Sequence, residues 1–269
     1  MPVTTAQAPA ISLSSVSKIF EASGGEVHAL DDISINIAPG SFVSLLGPSG
    51  CGKSTLLRVI GDLIQPTTGT ITVHGKSAAE ARKAREYGIV FQQPGLMDWR
   101  TVLRNVELPL QVQGVDKKER RKRAMEMLEL VRLENFLGHR PRQLSGGMQQ
   151  RVAIARALAF QPSLLLMDEP LGALDEMNRE YLQRELLRIW RSTGTTIVFV
   201  THSVSEAVFL SNEVFVMSPR PGHIAARVPI DLPYPRVDET RVSKEFVAAE
   251  AKVRDILHSV LEPVTEPSR

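Results

Sequence analysis

The chain has 269 residues, 43% of them hydrophobic and 23% charged, with 32 basic against 30 acidic side chains. That is the composition of a globular protein with enough length for a sizeable core, and it excludes a disordered chain. The near balance of charge argues against a nucleic-acid binder held by bulk electrostatics. A single cysteine, Cys51, excludes an internal disulfide and suits a reducing compartment. The start, MPVTTAQAPA, lacks the basic and apolar segments of a signal peptide, and no apolar run approaches the ~18 residues needed to span a bilayer. A soluble cytoplasmic protein, free to dock on a membrane partner, is the expectation.

In chain order, residues 1–10 read as a flexible tail. ISLSSVSKIF alternates apolar and polar residues as a half-buried strand does, EASGG makes a turn, and VHALDDISINIAPG alternates again up to Pro39-Gly40. FVSLL is a short, nearly continuous apolar run, the pattern of a strand buried on both faces. After it comes GPSGCGKST, and KSTLLRVIGDL then continues as a helix. TITVHG and YGIVFQ read as further strands. From about residue 101 to 160 the pattern turns helical, with Ala124, Met127, Leu128 and Val131 on one face and Val152, Ile154, Ala155 and Leu158 on another. LLLMDEP and TTIVFVTH are two more buried strands, with the helix REYLQRELLRIW between them. SVSEAVFL is a short helix and NEVFVMSPRPGHI a last strand with a turn. In the C-terminal stretch, Phe246, Val253, Ile256, Leu257 and Val260 share a helical face, to be packed on the body or offered to a partner. Strands alternating with helices predict an α/β fold with a mostly parallel sheet.

Gly47-Pro48-Ser49-Gly50-Cys51-Gly52-Lys53-Ser54, followed by Thr55, fits the phosphate-loop pattern G-x-x-x-x-G-K-[ST]. Glycines let successive amide groups face phosphate oxygens without Cβ clashes, and the following helix adds its dipole and its unpaired amides. Lys53 would neutralise the β and γ phosphates, and the Ser54 hydroxyl would hold Mg²⁺. Cys51 fills a free position of the loop, where a small residue fits. Asp168 and Glu169 end a buried strand, at the sheet edge where α/β folds bind ligands. Asp168 suits Mg²⁺, and Glu169 suits polarising a water for attack.

A phosphate loop and an acidic pair leave several nucleotide-driven classes open, and LSGGMQQR at 144–151 separates them. It resembles the signature of the ATP-binding cassette (ABC) superfamily. Ser145, Gly146 and Gly147 stand where a helix begins, a second anion-binding start. The resemblance covers residues 11–225 and implies an ABC ATPase domain of the P-loop NTPase type. That domain has a mostly parallel core sheet, an antiparallel β subdomain and a helical subdomain inserted over about 95–158. Residues 226–269 are then a C-terminal extension with one amphipathic helix.

The resemblance also implies roles. Phe20 occupies the place of an aromatic residue that stacks on adenine, usually tyrosine. Gln92, with Gln93 beside it leaving the register ambiguous, matches the glutamine that senses Mg²⁺ and the attacking water. Asp175 in LGALD matches a loop that reaches across a dimer, and His202 in VTHS a histidine that contacts the γ-phosphate. ATP and Mg²⁺ are the implied cofactors. Two ATPase subunits paired head to tail would sandwich two ATP molecules, with each Ser145-Gly146-Gly147 start facing the nucleotide of the other copy.

FQQPGLMDWRTVLRNVELPL, DEPLGALDEMNRE, THSVSEAVFLSNEVFVMSPRPGHI and IDLPYPR are similar to the ATPase subunits of nitrate, sulfonate and taurine importers. Such a subunit sits on the cytoplasmic face of the cell membrane beside an integral permease, is served indirectly by a solute-binding protein, and has no nucleic-acid partner. Asp98 departs from that pattern, where proline is common. Trp99 lies in the segment where the membrane subunit docks, though core packing explains a tryptophan equally well. KKERRKR at 117–123 reads as a solvated helix face or as a site for an anionic surface. An exporter or lipid-trafficking ATPase shares the same core motifs and is the alternative, ahead of a non-transport cassette.

Overall fold

The computed structural model describes residues 8–22 and 24–261. The chain divides into two compact units, one from Met1–Ala84 with Thr196–Arg269 and the other from Arg85–Thr195. Most of the expected tail, residues 1–7, lies outside the described residues. Ala10, its last residue, belongs to the fold: it is fully buried and its amide donates to the Ile37 carbonyl at 2.8 Å.

The first unit holds two sheets. One is antiparallel, in the order β2-β1-β4-β5, from β1 (Ile11–Ala22), β2 (Gly25–Ile37), β4 (Thr68–Val73) and the short β5 (Lys76–Ser77). Its inward residues Ile11, Leu13, Ile33, Ile35, Ile37, Ile71 and Val73 are buried, the alternation read from the sequence. The other sheet contains β3 (Phe42–Leu46), flanked in parallel by β8 (Thr196–Thr201) and β9 (Glu213–Met217), with β10 (Ile224–Pro229) antiparallel on β9. Every residue of β3 and β8 is buried, so these strands read as continuous apolar runs. β10 was not separable in the sequence because its outward positions are polar or small; its inward Val228 is 2% exposed.

Around these strands lie α1 (Lys53–Ile60), α2 (Ala78–Lys83), α7 (Val204–Leu210) and α8 (Lys244–Leu261). α2 opens on a capping box in which Ser77 and Glu80 satisfy each other's terminal groups. α8 packs on α7, β9 and β10 through Phe246 and Val253, while Ile256, Leu257 and Val260 are half-buried. The Phe246 ring meets Phe209 of α7 edge-on at 6.4 Å between centroids. Of the two uses open to that helical face, packing on its own unit is the one realised.

The second unit holds the parallel pair β6 (Tyr87–Val90) and β7 (Leu164–Asp168), with α3 (Val102–Val112), α4 (Lys117–Leu130), α5 (Gly146–Leu158) and α6 (Glu176–Thr193). α3, α4 and α5 pack on one another. Of the faces read from the sequence, Ala124, Leu128 and Val131 on α4 and its cap are buried and Met127 half-buried, and Val152, Ile154, Ala155 and Leu158 on α5 are buried. Oxygen-bearing side chains start these helices: Thr101, Asp116, Ser145 and Asp175 each accept from an amide of the first turn. Gly194, at φ 66°, closes α6 in the left-handed conformation, its amide donating to the Trp190 carbonyl.

Candidate functional site: a nucleotide-binding cassette

In the first unit the site grows from β3. The strand delivers Gly47 to its carboxyl edge, and the loop to Gly52 turns directly into α1. Gly50 at φ 77° and Gly52 at φ 100° adopt backbone that L side chains rarely reach, which is why these two positions carry no Cβ. The Leu56 amide already donates to the Gly52 carbonyl at 2.8 Å, so the helix is wound from its first turn. Lys53 is 5% exposed, and its ammonium donates to the carbonyls of Gly47 and Pro48, both at 2.8 Å. A buried cation thus ties together the first two carbonyls of the loop. Cys51 is buried, with its Sγ 3.8 Å from the Lys53 ammonium. Ser54 and Thr55 are half-buried on the first turn of α1.

His202 leaves the same sheet edge. Leu46 pairs with Thr201 in the parallel register, so Gly47 and His202 are the next residues out on neighbouring strands. The His202 side chain is exposed, and its neighbours fix the turn that carries it. Thr201 Oγ1 donates to the buried Glu206 carboxylate at 2.6 Å and accepts from the Ser203 amide at 3.0 Å. Ser203 caps α7 by accepting from the Glu206 amide. Neither Thr201 nor Glu206 was singled out in the sequence. Phe20, in β1 opposite Val27, is 38% exposed with the Lys18 ammonium 5.0 Å above its ring. The ring is thus partly open to solvent, with one face met by a cation.

In the second unit, register again assembles the chemistry. Val90 pairs with Met167, so Gln92 and Glu169 stand two residues beyond that pair on adjacent strands. The Gln92 amide nitrogen donates to Glu169 Oε2 at 3.4 Å, a long bond. The contact sets the Gln92 side chain beside Glu169. Asp168 is 1% exposed and Glu169 half-buried. Glu169 has φ 44°, a conformation costing a non-glycine residue ~1–3 kcal/mol, and it aims the side chain off the strand line.

Ser145 caps α5, accepting from the Met148 amide, with Gly146 and Gly147 in the first turn. A Cβ on Gly147 would lie 3.0 Å from the Ala173 carbonyl oxygen, so the signature helix start is seated on the loop that leads to Asp175. Asp175 accepts from the Asn178 amide at 3.0 Å and from its side chain at 2.7 Å; these bonds hold its carboxyl below the usual aspartate range.

Three residues that sequence reasoning passed over hold the segment around Gln92. Gln150, 1% exposed, donates to the Phe91 carbonyl at 3.0 Å. Arg156 donates to the carbonyls of Pro94 and Gly95, both at 2.8 Å, and burial pushes its guanidinium below its ordinary value. Asn105, fully buried, exchanges bonds with Met97 and donates to Arg100 and Thr101. A polar residue on the apolar face of a helix was the one available signal, and it names no partner.

The model of the family described as "ABC transporter" matches residues 30–172, just over half of the chain. The chain belongs to the ABC transporter family. An uncharacterized ABC transporter ATP-binding protein of Methanocaldococcus jannaschii is 48% identical to this cassette over 92% of it and 91% of that protein. A taurine import ATP-binding protein of Rhizobium johnstonii is 47% identical over 88% of the cassette and 91% of that protein. Among solved structures, the dimeric structure of a bacterial ABC transporter cassette is 38% identical, with a TM-score of 0.77 over 83% of this chain and all of that one. The same cassette solved in a post-hydrolysis state with ADP and Pi matches equally well. The protein is an ATPase of this family, with the α/β P-loop fold expected from its motifs.

Each unit offers hard oxygens of its own: the Ser54 hydroxyl in the first, and in the second the buried Asp168 carboxylate and the Gln92 amide oxygen. That chemistry fits Mg²⁺, which takes one or two protein oxygens and completes its shell with phosphates and water. Among the described residues no helix is long and apolar enough to cross a membrane.

Proposed function

We propose that this cassette is the ATP-hydrolysing subunit of an importer for a small anionic or zwitterionic solute of the nitrate, sulfonate and taurine kind. Two copies would work head to tail on the cytoplasmic face of the membrane, coupled to an integral permease and, through it, to a solute-binding protein. The observation that carries this reading is the similarity, at 46–47% identity, to taurine import ATP-binding proteins of several bacteria.

The proposed roles follow from the residues. The loop amides of Gly47–Thr55 and the Lys53 ammonium receive the phosphates, and Phe20 stacks the base. Ser54, Asp168 and Gln92 hold Mg²⁺, which when bound neutralises phosphate charge. Glu169 takes the proton of the attacking water, with Gln92 orienting that water beside it. His202 donates to the γ-phosphate. Ser145, Gly146 and Gly147 offer their helix start to the nucleotide of the second copy, and Asp175 lies on the loop facing that copy.

Trp99 supports a docking role for its segment. It is 72% exposed, which removes core packing as its explanation, and it lines a groove of about 710 Å³ with Arg100, Arg104, Glu107, Arg120 and Arg121. An exposed indole beside several cations suits a partner's amphipathic segment. KKERRKR makes the first two turns of α4, with Lys117, Lys118, Arg121 and Lys122 exposed and Arg123 paired to Glu119 at 2.7 Å.

The test is to tag the protein in its native cells, extract membranes in mild detergent and identify what co-purifies. An integral permease, with ATPase activity of the reconstituted complex rising on taurine or a related sulfonate and its binding protein, is the expected result. Recovery with ribosomes or DNA, or export of solute from reconstituted vesicles, would sink the importer reading.

A further inference from the structure

The turn between β9 and β10, Ser218–His223, lies against the outside of the phosphate loop. Its contact with β2 is by backbone: the Gly222 amide donates to the Ala29 carbonyl at 3.1 Å, and the Asp31 amide donates to the Gly222 carbonyl at 3.0 Å. These bonds make Gly222 an isolated parallel bridge partner of Leu30. On its other side Gly222 faces the loop. A Cβ there would sit 2.0 Å from the Cys51 carbonyl oxygen, a distance no real side chain tolerates. The same stretch of β2 backs the next loop residue, since a Cβ on Gly52 would sit 2.7 Å from the Ala29 carbonyl oxygen. Loop residues 51 and 52 are thus pressed between a strand of the antiparallel sheet and this turn.

Arg220, from the same turn, donates to the Gly50 carbonyl at 3.3 Å. The turn keeps its shape through Ser218, whose amide donates to the His223 carbonyl at 3.0 Å. Its Oγ accepts from the His223 amide at 3.0 Å and lies 2.7 Å from His223 Nδ1. The phosphate loop works by turning amides inward, which leaves its carbonyls outward and mutually repelling. Lys53 meets the carbonyls of Gly47 and Pro48, and the turn meets those of Gly50 and Cys51. Lys53 and Arg220 thus bond three carbonyls of the loop, and Gly222 lets the fourth, that of Cys51, pack against its backbone.

We propose that Arg220 and Gly222 are positioning residues for the phosphate loop. They fix the Gly50 and Cys51 peptides from outside so that the amides of residues 50–53 converge on the nucleotide's phosphates. Arg220 does so by a charge-assisted hydrogen bond, and Gly222 by permitting backbone contact. This rests on reading Gly47–Thr55 as the nucleotide site. It predicts that an exposed arginine 170 residues away in sequence controls nucleotide affinity without being part of the loop.

The probe is N-methylanthraniloyl-ATP, with its Kd measured by fluorescence on the full chain, alongside KM and kcat for ATP and the thermal midpoint without nucleotide. R220A is expected to raise Kd and KM roughly five- to tenfold. Its kcat at saturation should change by less than about twofold and its midpoint should hold, and R220K should recover most of the affinity. G222A should raise Kd further and speed amide exchange at residues 50–53; if it fails to fold, R220A alone decides. Wild-type Kd in R220A, or R220K as weak as R220A, overturns the proposal. Wild-type protein that fails to bind the probe overturns the site reading instead.

Discussion

Leu46 and Thr201 are neighbours in parallel register, so Gly47 and His202 step off the sheet together. One strand therefore carries the loop proposed to hold the phosphates and the next carries a ring suited to donate to them. The spacing between them is set by the sheet, since Leu46 and Thr201 are both buried in strands with no freedom to slide. His202→Ala is expected to lower phosphate release at saturating ATP by at least about tenfold while leaving nucleotide Kd within about twofold. A rise in Kd with unchanged turnover would assign His202 to binding instead.

Glu169→Gln keeps the side chain's volume, removes its basicity and leaves an oxygen facing Gln92. Hydrolysis should fall by roughly 10²- to 10⁴-fold with ATP binding intact, read by phosphate release and by equilibrium binding. Size-exclusion chromatography with ATP should then show an accumulated dimer, because the nucleotide is no longer consumed. Normal turnover in this variant would remove Glu169 from the role of base.

Much of this was legible from the chain because it lies in local spacing. The continuous apolar runs FVSLL, LLLMD and TIVFVT announced strands buried on both faces, and the phosphate loop, the acidic pair and His202 each start within one residue of the end of one of them. The parts that were not legible depend on distant pairing. Gln150 is an unremarked polar residue in a helical pattern until β6 brings the Phe91 carbonyl to its amide. The contact between Gln92 and Glu169 turns on the β6–β7 register, which alternation alone leaves open. Trp99 was ambiguous because an indole is equally at home in a core and on a docking surface, and only its exposure distinguishes them.

Phe246 is 2% exposed and stacks edge-on with Phe209 of α7, the helix that follows His202. Phe246→Ala leaves a cavity and should cost about 3–5 kcal/mol. For a chain of this size that lowers Tm by roughly 6 °C or more, measurable by calorimetry. A small shift would mean that α8 is loosely held.

Two helix-capping aspartates set an acid limit. Bonds from the amides of Lys118 and Glu119 lower the Asp116 carboxyl, and bonds from Asn178 lower Asp175. A carboxylate depressed in the folded state contributes stability that is complete above its unfolded value and is lost as pH falls through its folded value. Each should therefore contribute a loss of stability that sets in as pH falls through the ordinary aspartate value, read by denaturant unfolding. Asp116→Asn and Asp175→Asn should flatten that part of the profile. If the variants lose stability equally at neutral and acid pH, capping geometry rather than charge is what matters.

Arg236 is 3% exposed, and burial pulls its guanidinium below its ordinary value. One of its nitrogens donates to the carbonyls of Val208, Phe209 and Ser211, the unpaired end of α7, and another to Leu232. A chain trimmed at residue 225, the expected end of the ABC ATPase domain, would leave those three carbonyls and the Phe209 ring facing water. The folding unit thus outruns that boundary by about 36 residues, and a useful fragment keeps α8 to Leu261.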